Sequence, residues 1–149
     1  MALLGSLTIN SDLGGLGGSI GGALGLLGSK KYGIIECAYE FTQSIDDTGK
    51  PTSRPRGGRI TFVMPTSEDG DPFFYNWMFD KSQTHDGTFT FTVYAENNRR
   101  CTKQVHFTNA YCVELKEYFN NSDSRLMYTT VTISAEIITI SGATLDNVW

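Results

Sequence analysis

The chain has 149 residues, 40% of them hydrophobic and 12% aromatic, which suits one globular domain with a real core and excludes a wholly disordered chain. Its 16 acidic residues exceed its 12 basic ones, and a net charge of −4 gives no electrostatic reason to bind nucleic acid or an anionic membrane. Cys37, Cys101 and Cys112 are an odd number of cysteines, widely spaced, without CxxC pairs or a nearby histidine. They read as reduced thiols packed on strand faces in a cytosolic protein, not as metal ligands.

Met1-Ala2-Leu3-Leu4 has no Lys or Arg ahead of its apolar residues and is a poor secretory signal. Ser6 to Asn10 is a short strand candidate. Asp12 to Ser29 follows, with eight glycines in eighteen residues interspersed with Leu13, Leu16, Ile20, Leu24, Leu26 and Leu27. Five of these apolar residues fit one helical face, but each glycine costs such a helix about 1 kcal/mol, so it is expected to order only against a partner surface. The glycines, Asp12 and Lys30-Lys31 leave too little continuous apolar length for a membrane span. We read it as an insertion at about residues 12–29 within a single domain spanning residues 1–149.

From Tyr32 onward the pattern has period two. Ile35, Cys37, Tyr39 and Phe41 are expected on one strand face, with Glu36, Glu40 and Thr42 on the other. Asp46 to Gly58 then contains Asp46, Asp47, Thr48, Gly49, Lys50, Pro51, Arg54, Pro55, Arg56, Gly57 and Gly58, with no large hydrophobic residue. Long loops of this kind are usually functional, and two prolines limit this one's entropy, so it is expected to project and to contact another protein. Ile60, Phe62 and Met64 resume the alternation.

One helix interrupts the strands. Asp71 supplies a cap, Pro72 a first-turn proline, and Phe74, Trp77, Met78 and Lys81 a stripe over about ten residues, expected to plug one end or flank of a barrel. Phe89, Phe91 and Val93 then oppose Thr88, Thr90 and Thr92, and Asn97-Asn98 provide a turn. The next strand is expected to set Val105, Phe107, Tyr111, Val113 and Leu115 against His106, Thr108, Glu114 and Lys116. The last long strand is expected to set Val131, Ile133, Ala135 and Ile137 against Thr130, Thr132, Ser134 and Glu136. Strands with one apolar and one polar face suit a mainly β fold, an antiparallel barrel with one short flanking helix, because closure buries one face and removes the edges.

Catalytic signatures are missing. GxSxG, HExxH and a Gly-rich phosphate loop do not occur, and the two histidines, His85 and His106, lack ligand or nucleophile spacing. A Cys112–His106 pair meeting in space, and the carboxylates Glu114, Glu117 and Glu136, are the remaining candidates for chemistry. Neither a cofactor nor a metal is expected.

Phe41-Thr42-Gln43-Ser44, Asp47-Thr48-Gly49-Lys50-Pro51, Pro55-Arg56-Gly57-Gly58, Phe74-Tyr75-Asn76-Trp77-Met78, Asn109-Ala110-Tyr111-Cys112-Val113 with Glu117 and Phe119, and Ser134-Ala135-Glu136-Ile137 stand in an order and spacing that resembles the Hcp (TssD) tube proteins of type VI secretion systems, in their Bacteroidetes form. The similarity covers roughly Tyr32 to Trp149. It implies a non-enzymatic structural subunit, a β-barrel assembled into hexameric rings that stack into a tube, with a contractile sheath, a spike and effector proteins as partners. It further implies assembly in the cytoplasm, then release from the cell without a signal peptide. The residues from Asp46 to Gly58 would contact neighbouring subunits or the next ring. The family usually has a shorter connection where this chain has Asp12 to Ser29. A small-ligand-binding or enzymatic barrel is the alternative, which would need an interior cavity with convergent polar groups.

Overall fold

A computed structural model describes residues 4–10, 29–66, 71–122 and 127–149. Apart from Ser29, the glycine-rich stretch expected to await a partner lies outside the described residues. The elements are β1 (Gly5–Asn10), β2 (Lys30–Gly33), β3 (Glu36–Tyr39), β4 (Arg59–Pro65), α1 (Phe73–Phe79), β5 (His85–Tyr94), β6 (Arg100–Phe119), β7 (Met127–Ile140) and β8 (Ala143–Asp146). The strands make one antiparallel sheet ordered β2-β1-β5-β6-β7-β4-β3, with β8 also paired to β7.

The two ends of this order, β2 and β3, are consecutive pieces of one extended run. Between them the Ile34 N–H donates to Gly5 O on β1 (3.0 Å) and the Ile35 N–H donates to Val63 O on β4 (2.8 Å). A single segment thus pairs with one side of the sheet and then with the other, curling it into a barrel. The run divides because it must serve two partners, and its alternation breaks with it. Cys37 and Tyr39 pack against the core as expected, whereas Ile35 and Phe41, expected on the same face, are 50% and 44% exposed.

Inward alternation fills the barrel. Leu7 and Ile9 of β1, Ile60, Phe62 and Met64 of β4, Phe89 of β5, Val105 and Phe107 of β6, and Val131, Ile133 and Ala135 of β7 are all buried. Phe62, Phe89 and Phe107 are in contact through edge-on and tilted rings 5.2–5.5 Å apart, an arrangement aromatic quadrupoles favour. On β5 the apolar face runs out toward the β5–β6 turn, where Val93 is exposed.

Two strands change face midway, against the simple alternation. In β6 the buried residues after Phe107 are Ala110 and Cys112, and Val113 is exposed. Asn109 takes φ 57°, and the β5 pairing slips between His85 and Gly87, so two residues of β6 oppose one of β5. Such a bulge moves every following side chain to the other face. A second slip, between Cys112 and Glu114, returns Leu115 to the core side. Beyond Ala135 in β7 it is Ile138 rather than Ile137 that is buried, because that strand changes face beside Asn109. The Asn109 side-chain amide donates to Glu136 Oε2 (2.7 Å), and its backbone N–H donates to Asp86 Oδ1 (2.7 Å), so one residue joins β5, β6 and β7 at the bend.

The helix is seven residues long, shorter than its stripe suggests, and Lys81 lies beyond it. Pro72, expected in the first turn, takes the N-cap position instead, and Asp71 lies one residue ahead of it, where it accepts from the Phe73 N–H (3.1 Å), the Lys30 ammonium (3.1 Å) and the Tyr32 hydroxyl (3.0 Å). Burial pushes the Asp71 carboxyl up, but these donors outweigh it and hold the group below the usual carboxylate range.

Candidate assembly surface

The polar segment between β3 and β4 has no named strand, yet it is ordered as an arm with two legs. Thr42 and Arg56 exchange both backbone hydrogen bonds (2.9 and 2.7 Å), the Thr52 N–H donates to Ser44 O (2.8 Å), and Ile45 bridges Pro51. The Ser44 N–H also donates to Ser53 Oγ (2.8 Å). At the tip the Asp46 N–H donates to Lys50 O and the Gly49 N–H donates to Asp46 O, with Gly49 at φ 87°. Asp46 Oδ1 accepts from the Thr48 hydroxyl (2.7 Å), the Thr48 N–H (2.9 Å) and the Lys50 N–H (3.0 Å). These donors, the Thr48 hydroxyl foremost, hold the Asp46 carboxyl below its ordinary range.

Asp46, Asp47, Thr48, Gly49, Lys50, Pro51, Arg54, Pro55 and Arg56 are all exposed, Ser53 and Gly57 are half-buried, and Gly58 at the root is buried. The arm is therefore held by polar groups satisfying one another, with almost no apolar burial. Sequence reasoning missed its first leg. Phe41 and Ile45 belong to the arm and not to a core face, and Ile45 is 65% exposed. The pairing of Thr42 with Arg56 is the reason, since it carries the chain away from the barrel earlier than alternation alone suggests.

The arm leaves the sheet at a defined gap. One edge of β7 pairs with β4 through residues 128–134 and with β8 through residues 137–140, and the chain turns outward between the two at Gly57-Gly58. Phe41 and Pro55 of the arm, together with Ile138 and Ile140 of β7 and Leu145 of β8, line an apolar groove of about 250 Å³ at its base.

On the helix side, Phe74 and Trp77 are buried and Met78 is half-buried. The Trp77 indole N–H donates to Ala110 O (3.1 Å), satisfying a buried carbonyl next to the bulge. The outer side of α1 is apolar as well: Phe79 is 79% exposed, the Tyr75 ring lies tilted beside it at 6.2 Å, and the Tyr75 hydroxyl donates to the Glu117 carboxylate.

The candidates for chemistry do not converge. His106 faces outward on β6 with Nδ1 against the Thr88 hydroxyl (2.8 Å), whereas Cys112 is buried beside Met78 Sδ (3.9 Å). They stand six positions apart along the strand, on the order of 20 Å of chain. Burial pushes the Cys112 thiol up to about 11 and the Cys37 thiol up to about 12, away from nucleophilic thiolate. Glu117 lies opposite Thr129 and accepts from Tyr75, Glu114 is exposed opposite Thr132, and Glu136 accepts from Asn109 at the bend, so the register sets Glu136 apart from the other two along the sheet. His85 lies against the Phe73 and Trp77 rings with Gln83 at its Nε2 (2.7 Å). Among the described residues, no cluster of His, Cys, Asp and Glu has metal-binding geometry, and no helix is long and apolar enough to cross a membrane.

Among the described residues, a barrel filled with side chains is flanked by one short helix and carries an exposed polar arm. The family profile described as Hemolysin coregulated protein Hcp (TssD) matches residues 6–149, and the chain belongs to that family of type VI secretion tube proteins. The match takes in the first strand as well as the Tyr32–Trp149 stretch that carries the resemblance. Hcp1 from Flavobacterium johnsoniae is similar at 28% identity, with a TM-score of 0.71 over 97% of this chain and 99% of that one. A mutant Hcp1 from E. coli EAEC 042 is 16% identical, with a TM-score of 0.67 over 99% of both chains. The cap that terminates the tube of the anti-feeding prophage shares the fold at 14% identity, with a TM-score of 0.51 over 93% of this chain and 88% of that one. No curated protein sequence matches the chain.

Proposed function

We propose that this chain, as one domain, is the repeating subunit of a type VI inner tube. Copies join side by side into hexameric rings, rings stack, and the tube leaves the cell with effectors inside, driven by a contractile sheath behind a spike. It is not an enzyme, assembles in the cytoplasm and needs no signal peptide. Side-by-side joining uses two different patches on each copy, and a rotation that closes gives a finite ring. The part of the arm from Asp46 to Gly58 is the patch that reaches a neighbouring subunit or the next ring.

The observation that carries this reading is the arm itself, an ordered projection whose hydrogen bonds are internal and whose surface is left free for a partner. The filled interior opposes a ligand-holding or enzymatic barrel, because Trp77, Phe62, Phe89 and Phe107 occupy the space a ligand would need. Replacing residues 44–54 by a short Gly-Ser turn, which spares the Thr42–Arg56 bridge, tests it. The barrel is expected to stay folded by circular dichroism, while sedimentation shows ring formation shifted to at least tenfold higher concentration and negative-stain images show few stacked rings. Normal rings and tubes from the shortened chain would remove the arm from the interface.

A further inference from the structure

The place where the arm joins the barrel is built more tightly than a hinge requires. Gly58 lies at φ 103°, a backbone region that side-chain-bearing residues rarely adopt, and a Cβ there would sit 2.6 Å from Ala135 O and 2.7 Å from Asn147 Nδ2. A Cβ on Gly57 would collide with the Phe41 ring and fall 2.9 Å from Leu145. Both glycines are thus clamped, Gly57 between the first leg of the arm and β8, Gly58 between β7 and the residue that follows β8.

That residue is Asn147. Its side-chain amide donates to Gly57 O (3.1 Å) and to Ala135 O (3.0 Å), using both of its N–H groups. Its backbone N–H donates to Glu136 O (2.8 Å), and the Ala135 N–H donates to Gly58 O (2.8 Å). Ala135 and Glu136 are the two residues of β7 between its β4-paired and β8-paired stretches. Here the chain turns out of the ladder, and its carbonyls would otherwise lose their regular partners. Glu136 in turn accepts from Asn109, at the bend that Asp86 also holds.

We propose that Asn147 is the positioning residue of the arm. It fixes the angle at which the arm leaves the barrel and couples that angle to the bend of β6 and β7. This rests on the reading that the arm makes subunit contacts. An arm held at one angle meets its neighbour without first losing conformational freedom, so a loosened root lowers assembly affinity without touching any contact residue.

The test compares the full-length chain with Asn147→Ala and with Asn147→Asp, which keeps the shape but has no N–H to donate. Hydrogen exchange below the assembly concentration reports the amides of Thr42, Thr52 and Arg56 in the arm and of Val131 and Ile133 in the core, and sedimentation reports ring formation. Both variants are expected to exchange at least tenfold faster in the arm with core rates unchanged, and to need at least tenfold more protein to form rings. Arm exchange equal to wild type in both variants would overturn the proposal. A loosened arm with ring formation unchanged would overturn its link to assembly while leaving the joint described correctly. A wild-type chain that forms no rings at any concentration would count against the tube reading, and arm exchange would still decide the joint.

Discussion

The helix side and the arm side of this barrel are ordered by opposite means. α1 has only seven residues, yet two of them are buried, and the Trp77 indole both fills the interior and satisfies a carbonyl of β6. The arm, counted from Phe41 to Gly58, is more than twice as long and buries almost nothing, its order coming from backbone bridges, an Asp46-capped tip and a clamped root. Burial of apolar area contributes kilocalories per large side chain, whereas exposed polar contacts each contribute little net free energy. Stability is therefore concentrated on one side, and a surface free to meet partners is held in shape on the other.

The contrast breaks first at Trp77. Trp77→Ala is expected to destabilise the fold by about 3–5 kcal/mol in a denaturant titration, through the cavity and the lost hydrogen bond together. A change below about 1 kcal/mol would mean that α1 is not the anchor it looks to be. The root of the arm comes next: Gly58→Ala forces a strained φ on alanine and pushes its Cβ toward Ala135 O, for an expected loss of roughly 1–3 kcal/mol. The same substitution at Gly49, which also has positive φ but open space around it, separates backbone strain from collision and should cost less.

Smaller effects sharpen the comparison. The depressed folded-state ionisation of Asp46 means that its contribution to tip order is present above the ordinary carboxylate range and lost as pH falls through the lower folded value. Amide exchange at Thr48 and Lys50 should accelerate there before the core amides respond, and simultaneous loss would contradict independent ordering of the two regions. Least perturbing is thiol labelling. Cys37 and Cys112, with thiols raised to about 12 and about 11 by burial, are expected to resist alkylation at pH 8 in the folded chain and to react once it is unfolded.

Much of the barrel was legible along the chain because alternation is a local signal. Ile60-Phe62-Met64 and Val131-Ile133-Ala135 are buried where period two puts them. The helix was legible through Pro72 and its aromatic stripe, and the polar segment through its prolines and lack of hydrophobic residues. The reversal at Asn109 was not, because a bulge depends on how many residues of β6 oppose β5, a property of two strands together. For the same reason Tyr111, Val113 and Ile137 were expected inward, where the structure buries Ala110, Cys112 and Ile138.

By itself the sequence determined strand-rich architecture, a polar projection between two strands and the lack of a recognised catalytic motif, since each follows from residue types at short range. Only the tertiary structure decided that β2 and β3 close the sheet as one run, that the arm begins at Phe41, and that Asn147 holds its root. Those facts join residues as far apart as Gly57 and Asn147, whose meeting is set by the pairing of β7 with both β4 and β8 and leaves no trace in the spacing of either segment.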